Sequence, residues 1–383
     1  MSNTKIFPAF FNEPLHPALF PPGVTNVVLP HSFNRPIMPG DIPNTVKSLV
    51  FDRCCFTAQL QCGSIPVGVE LLDMSESSYT KNLYYGIIPQ SVEFLALPSD
   101  FNQPLSTIIP WTFLMFPRPF IPSSVNFLRL GRDFEQPIQT GDIPSSVTHL
   151  YMGYHYNAPL NLKNTRITHL TLSGKYNLPF DKDSLPKELT VFDMGYEYNQ
   201  RITYRQLSLS LRQLRFSHMW NQPLDHDIIP HHVTHLDLGD AFEGDLVTKD
   251  GQKVIPDSVT HLILSKNYNM PLFGVIPPNV QVLMLGDKFT QEILDEDIPN
   301  SVKTIYFGPE YYRNIDADRM PSVKTFYFPV NDNYTFYIYP SLTQKPKPGD
   351  LIKCKEHCDF EIKYYENQFR KFKIDPSHGW ELF

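Results

Sequence analysis

Cysteine is scarce in this chain, with five in 383 residues. So sparse and odd a count speaks against a disulfide framework and fits free thiols in a reducing compartment. A cytoplasmic location is therefore expected. Charge is scarce too: Asp, Glu, Lys and Arg make up 19% of the residues, and the formal net charge is −7. A mildly acidic chain gives no reason to expect nucleic acid or an anionic membrane as partner. No stretch of about eighteen apolar residues offers a membrane span, and Met1 to Phe11 carries one lysine and no long apolar run, unlike a secretory signal. The signatures of common enzymes are also missing. There is no phosphate-binding glycine loop, no Gly-x-Ser-x-Gly, no His-Glu-x-x-His and no Cys-x-x-Cys. Neither catalysis nor a cofactor nor a resident metal is expected.

Proline and aromatics are abundant. There are 36 prolines, and 13% of the residues are aromatic within a hydrophobic share of 42%. That is too apolar for a disordered chain and too proline-rich for long helices or central strand positions. The prolines must recur at places that tolerate them.

They do. An aromatic, a short polar group and an aliphatic return as Phe33-Asn34-Arg35-Pro36-Ile37, Phe101-Asn102-Gln103-Pro104-Leu105 and Trp220-Asn221-Gln222-Pro223-Leu224. Fourteen such anchors run from Phe11 to Tyr311, mostly 22 or 23 residues apart, with longer steps of 33 after Phe101 and 26 after Phe242. In phase with them runs Ile-Pro-x-Ser-Val-x-x-Leu-x-Leu-Gly, as in Ile121-Pro122-Ser123-Ser124-Val125 leading to Leu128, Leu130 and Gly131. Units near Asn161 and Leu207 lack Ile-Pro but keep the period. This period and the Leu-x-x-Leu-x-Leu-like core lie in the leucine-rich-repeat range.

Each unit reads as one short strand. Leu128 and Leu130 point to one side, Phe127 and Arg129 to the other. Proline just before the strand removes no ladder hydrogen bond, glycine after it permits a tight turn, and the proline-dense return is extended rather than helical. One strand cannot bury its apolar face alone, so the units must stack into a parallel sheet. The expected fold is a β-dominated, leucine-rich-repeat-like solenoid over residues 1–340. It has about fourteen short parallel strands on a concave face, Pro-rich convex returns and little helix. Residues 341–383 follow as a C-terminal cap. Trp111 to Phe120 is expected as a bulge or a half-unit, and Val247 to Gly251 as a surface loop.

These alternating signatures resemble the FNIP repeat, a leucine-rich-repeat relative of social amoebae and giant DNA viruses, over roughly Phe11 to Phe328. The resemblance implies an interaction protein, in the host cytoplasm if viral. Some viral members carry an N-terminal F-box, which would link them to ubiquitin ligases. Here the repeats begin at about Phe11 and leave no room for one, so an adaptor would have to act through a separate partner. The asparagine that follows the aromatic in the clean copies departs from the usual leucine-rich-repeat position and is expected to hydrogen-bond turn backbone along the stack.

Function is expected in the outward slots. His149, His169, His235 and His261 share one slot, and His149/His169 and His235/His261 should be neighbours. They read either as a metal or pH-sensing ladder or as plain exposed sheet residues, the reading adopted. The next slot holds Arg129, Tyr151, Thr171, Asp193, Arg215 and Asp237, whose alternating signs read as weak surface pairs or a polar binding face. Charge reversal at Arg129, Arg215 and Asp237 is expected to spare folding. Phe94 and Phe127, with Leu71, form an apolar row that the insertion near Trp111 could cover. Asp295, Glu296 and Asp297 read as a solvated turn, and Cys54 and Cys55 as ordinary packing. Cys354, His357 and Cys358 are the one ligand-like run, short of the four ligands zinc favours. The expected protein is a non-enzymatic, monomeric scaffold that binds a protein partner through Phe94, Phe127, Arg129, His149, Tyr151, His169, Asp193, Arg215, His235, Asp237 and His261. The alternatives are a ubiquitin-ligase adaptor or a structural protein.

Overall fold

The structure is a computed structural model. It describes residues 3–107, 118–182, 184–313 and 315–329, and the strands Ile338–Tyr339, Glu361–Tyr365, Lys373–Asp375 and Gly379–Glu381. The Cys354, His357 and Cys358 run and most of the Trp111 to Phe120 stretch lie outside the described residues. The chain divides into two compact units, Met1–Leu189 and Thr190–Phe383.

Both units are leucine-rich-repeat-like β-solenoids built on parallel strands. In the first, strands Thr4–Ile6, Asn26–Leu29, Ser48–Phe51, Leu71–Asp73, Phe94–Ala96, Phe127–Arg129, His149–Tyr151 and His169–Thr171 pair in chain order. In the second, the order is Val191–Asp193, Gln213–Arg215, His235–Asp237, His261–Ile263, Val282–Met284, Thr304–Tyr306, Thr325–Pro329 and Glu361–Tyr365. The ladder thus runs two strands past the last aromatic anchor, and the segment read as a cap contributes the final one. Among the described residues, helix is limited to the single 3-10 turns Pro17–Leu19 and Ala317–Arg319.

The repeat signatures have direct structural causes. From Asn26–Leu29 to Thr325–Pro329 the inward strand residue is buried, as at Leu49, Leu72, Leu95, Leu128, Leu150, Leu214 and Leu283. The anchors stack behind it as a ladder of rings. Phe11, Phe33, Phe56 and Tyr79 follow at centroid spacings of 6.2, 6.0 and 5.9 Å, and Phe134 and Tyr156 at 6.1 Å. In Ile-Pro-x-Ser-Val the proline carbonyl closes a turn by accepting the valine N–H, at 3.2 Å for Pro122 and Val125. The serine hydroxyl donates to the valine carbonyl one repeat back, from Ser124 to Val92 at 2.6 Å and from Ser258 to Val233 at 2.7 Å. The asparagines form the expected ladder. Asn102, Asn221 and Asn269 accept the N–H of Glu135, Glu243 and Thr290 in the next repeat at 3.0, 3.1 and 2.9 Å. Each bond satisfies a loop donor that would otherwise face the stack unpaired.

Two expectations are corrected. The glycine after the strand serves the turn at Gly195 and Gly239, both at φ 74°, but at Gly131, Gly153, Gly286 and Gly308 it is set by crowding. A Cβ on Gly153 would collide with the Gly131 carbonyl oxygen, and one on Gly308 with that of Gly286, because successive turns sit backbone against backbone. And the turn at Asp295, Glu296 and Asp297 is not uniformly solvated. Asp297 is buried and accepts the Leu294 N–H at 2.7 Å, as Asp142 does from Gln139. The carboxylate closes the loop from within.

Within the longest step, Ser106–Thr107 pairs antiparallel with Arg118–Pro119. Val247 and Lys253 bridge antiparallel around an exposed turn with Gly251 at φ 80°. Cys54 packs as expected: its buried thiol donates to the Phe33 carbonyl at 3.0 Å, and burial pushes its pKa up to about 12.

Candidate functional site

The outward face of each sheet carries two columns of side chains. In the first unit, parallel register aligns Leu71, Phe94, Phe127, His149 and His169, all half-buried. Their rings stack. Phe94 lies 4.4 Å from Phe127, Phe127 lies 6.0 Å from His149, and His149 lies 4.1 Å from His169. Tyr151, in the second column, adds a contact of 5.0 Å to Phe127. Arg129 is the exposed member of its strand. It borders an open groove of about 430 Å³ with Arg132, Tyr154, Ser99, Gly131 and Gly153, where the Arg132 guanidinium stands 5.7 Å and the Lys175 ammonium 6.0 Å from the Tyr154 ring. An apolar column thus runs beside a cationic groove.

In the second unit the first column reads Val191, Gln213, His235, His261 and Val282. His235 and His261 stack at 4.2 Å. The second column reads Asp193, Arg215, Asp237, Ile263, Met284, Tyr306 and Tyr327. Here the expectation of weak surface pairs is corrected. Arg215 lies between two carboxylates, 3.7 Å from Asp193 and 3.3 Å from Asp237, and all three side chains are only 11–12% exposed. Each aspartate also accepts a backbone N–H, from Gly195 and Gly239, at 2.9 Å. Burial pushes the Asp237 carboxyl up, and Arg215 opposes the shift. Burial disfavours the Arg215 charge, but Asp193, Asp237 and Asp240 together raise its pKa. The network continues outward. Arg215 reaches His218 Nε2 at 3.2 Å, His218 Nδ1 meets Asp240 at 2.7 Å, and Lys266 meets the same carboxylate at 2.6 Å. Burial would raise Asp240, but hydrogen bonds from His218 and Lys266 hold it down at about 2. Reversing Arg215 or Asp237 would therefore put uncompensated charge in the sheet, and only Arg129 of the three is a clean surface probe.

The columns also hold residues that the sequence reading passed over. Tyr306 and Tyr327 stack at 4.2 Å; their shared slot was open to counting. Arg132, Tyr154 and Lys175 come from the turns, where strand periodicity carries no signal.

Burial depresses all four column histidines, and a neighbouring imidazole adds to the effect at His169 and His235, which fall to about 4. A base whose folded pKa is lowered binds its proton more weakly folded than unfolded. Its contribution is full above the unfolded value near 6.5 and is lost as pH falls toward 4. Because the rings are half-exposed and solvent screens them, stability should drop across that window by only on the order of 1 kcal/mol for each strongly shifted ring. Thermal melts at pH 7 and 4.5 should show a smaller drop for His169→Phe than for the parent, and equal drops would contradict it.

The repeat geometry is matched by sequence comparison. The FNIP Repeat pattern fits residues 11–54, 33–77, 115–155, 134–165, 198–241 and 251–288, just over half of the chain. The chain belongs to the FNIP-repeat family. Among solved structures, the chain is similar to CroV588, a circular leucine-rich-repeat protein of the giant virus CroV, with a TM-score of 0.70 and 24% identity. That match covers 97% of this FNIP-repeat chain and 57% of the viral protein, so the chain spans little more than half its length. YopM from Yersinia enterocolitica WA-314 aligns over 89% of this chain and 77% of its own, at 14% identity and a TM-score of 0.43. No curated protein matches the chain.

Proposed function

We propose that this FNIP-repeat protein is a non-enzymatic scaffold that binds a protein partner through the outward face of its strands. One observation carries the reading: inward positions are nearly uniform from repeat to repeat, whereas the outward columns pass through apolar, aromatic, imidazole, acidic and basic side chains. A half-exposed row from Leu71 to His169 lies beside the groove of Arg129 and Arg132. Apolar anchors with an arginine at their edge are the usual carriers of binding energy at protein interfaces. The solenoid exposes such a surface on a rigid backbone. The partner best fitted to this face presents an apolar anchor next to acidic side chains. Leucine-rich-repeat-like folds are typical of such scaffolds.

The test is capture of partners from a host cytosol by the full chain, followed by affinity measurement with Phe127→Ser and Arg129→Glu. Each change should weaken the captured complex by about 1–2 kcal/mol, roughly tenfold, with the circular dichroism spectrum unchanged. Ubiquitin-ligase subunits among the captured proteins would favour the adaptor reading, self-assembly the structural one. Unchanged affinity in both variants would remove the outward face as the binding surface.

A further inference from the structure

Three repeats carry an aspartate at the last strand position, and each uses it in the same way. One carboxylate oxygen accepts the backbone N–H two residues on: Asp73 from Ser75, Asp193 from Gly195 and Asp237 from Gly239, all at 2.9 Å. In the second unit the other oxygen faces Arg215, at 3.7 Å for Asp193 Oδ2 and 3.3 Å for Asp237 Oδ2. An arginine and a turn N–H thus hold one carboxylate between them. Ser75 makes its bond without a positive φ, so the arrangement does not require the left-handed conformation of Gly195 and Gly239.

The first unit has the same two donors and no carboxylate of its own between them. Arg129 occupies the slot of Arg215, but its neighbours in register are Ala96 and Tyr151. Arg129 is exposed and makes no hydrogen bond or ion pair among the described residues. Gly153 follows Tyr151 by two residues, as Gly239 follows Asp237, and its N–H has no acceptor among the described residues. The Tyr151 ring turns toward the other column, 5.0 Å from Phe127. The open groove of about 430 Å³ lies at this place, lined by Arg129, Gly153, Arg132 and Tyr154. Its two serines offer no further proton. The Ser75 hydroxyl donates to Asp73 at 2.7 Å and that of Ser99 to the Ser75 carbonyl at 2.6 Å, and a hydroxyl has one proton. Two acids of this unit already have partners: Asp73 takes both Ser75 donors, and Asp133 lies 3.7 Å from His155.

We propose that the groove is a carboxylate site for an aspartate or glutamate side chain of a protein partner. One oxygen of that side chain accepts the Gly153 N–H and the other the Arg129 guanidinium, as Asp237 does between Gly239 and Arg215. Both bonds carry charge, which makes them short and strong. Arg132, held against the Tyr154 ring at the rim, adds a second cation. An apolar residue next to the acid then lies on the ring row of Phe94 and Phe127. Carboxylate is the group this geometry fits, because the second unit satisfies the same pair of donors with one planar, singly charged group. The proposal rests on the scaffold reading for the source of the acid.

The test is amide-resolved nuclear magnetic resonance of the full, ¹⁵N-labelled chain with three probes: a short capped peptide bearing glutamate after phenylalanine, its glutamine counterpart, and inorganic phosphate. The glutamate peptide should move the Gly153 amide proton downfield. The glutamine peptide should bind the parent at least about tenfold more weakly, and Arg129→Gln should weaken the glutamate peptide by as much, the effect of losing a charged hydrogen-bond partner. Tyr151→Asp places the chain's own carboxylate in the slot of Asp237. It should shift Gly153 downfield with no peptide present and bind the glutamate peptide at least about tenfold more weakly than Tyr151→Asn. Equal binding of the two peptides would overturn the proposal, as would a Gly153 amide that moves in neither experiment or a phosphate that binds more tightly than the glutamate peptide. If those results came while Phe127→Ser still weakened a captured complex, the carboxylate site alone would fall and the scaffold reading would stand.

Discussion

Replacing Phe134 with alanine should destabilise the first unit by about 3–5 kcal/mol, the range for loss of a large core aromatic. Phe134 is 0% exposed and stacks on Tyr156 with an interplanar angle of 5°. Neighbouring repeats hold the backbone in register, so the site has little freedom to collapse into the cavity. Phe10, 91% exposed, is the control: Phe10→Ala should change stability by no more than about 0.5 kcal/mol. Urea unfolding followed by hydrogen exchange in the surrounding turns measures both, because repeat arrays can lose cooperativity and a single midpoint would average over them. Equal midpoints for the two variants would falsify the buried ladder.

The second large effect lies at Arg215. Arg215→Met keeps most of the apolar stem and removes the guanidinium between Asp193 and Asp237. Two nearly buried carboxylates are then left facing a methyl group, and breaking such a pair from one side costs about 3–5 kcal/mol. The pH dependence identifies the cause. Burial already pushes the Asp237 carboxyl up against the opposing charge of Arg215; without Arg215 it rises further above its unfolded value near 3.9, so the folded state holds that proton more tightly than the unfolded one. The variant's deficit therefore grows as pH rises from about 4 toward 7. Asp193→Asn and Asp237→Asn added to Arg215→Met should recover most of the loss, because an amide oxygen can still accept the Gly195 and Gly239 N–H bonds. A deficit that ignores pH and survives the triple change would assign the loss to packing rather than to charge.

Arg215 also shows where periodicity stops being informative. Its slot was counted correctly, and so was its place between two aspartates. Its depth was not. An outward position at the strand's last residue borders the following turn, and whether it is covered depends on how closely the turns of three repeats approach one another. Arg129, one slot equivalent in the first unit, is exposed. The residues on the flanking strands differ as well: Ala96 and Tyr151 beside Arg129, two aspartates beside Arg215. The same pattern letter thus produced a surface cation in one unit and a buried ion triad in the other.

The histidine pairs were legible as pairs, because a parallel ladder with a fixed period places equal slots side by side. The groove residues Arg132, Tyr154 and Lys175 were not. Turn residues follow no two-residue alternation, and their meeting depends on how the turns stack.

By itself the sequence determined the strand count to within two, the parallel order, the buried leucine and aromatic ladders, and the serine and asparagine positions. All of these follow from one constraint repeated at each step: a strand must bury its apolar face and satisfy its polar backbone against a near copy of itself. Only the tertiary structure decided which outward charges are buried, why glycine follows the strand, which carboxylates close loops from within, and that the tail adds a strand. Those outcomes depend on distances between different repeats, where the copies cease to be identical.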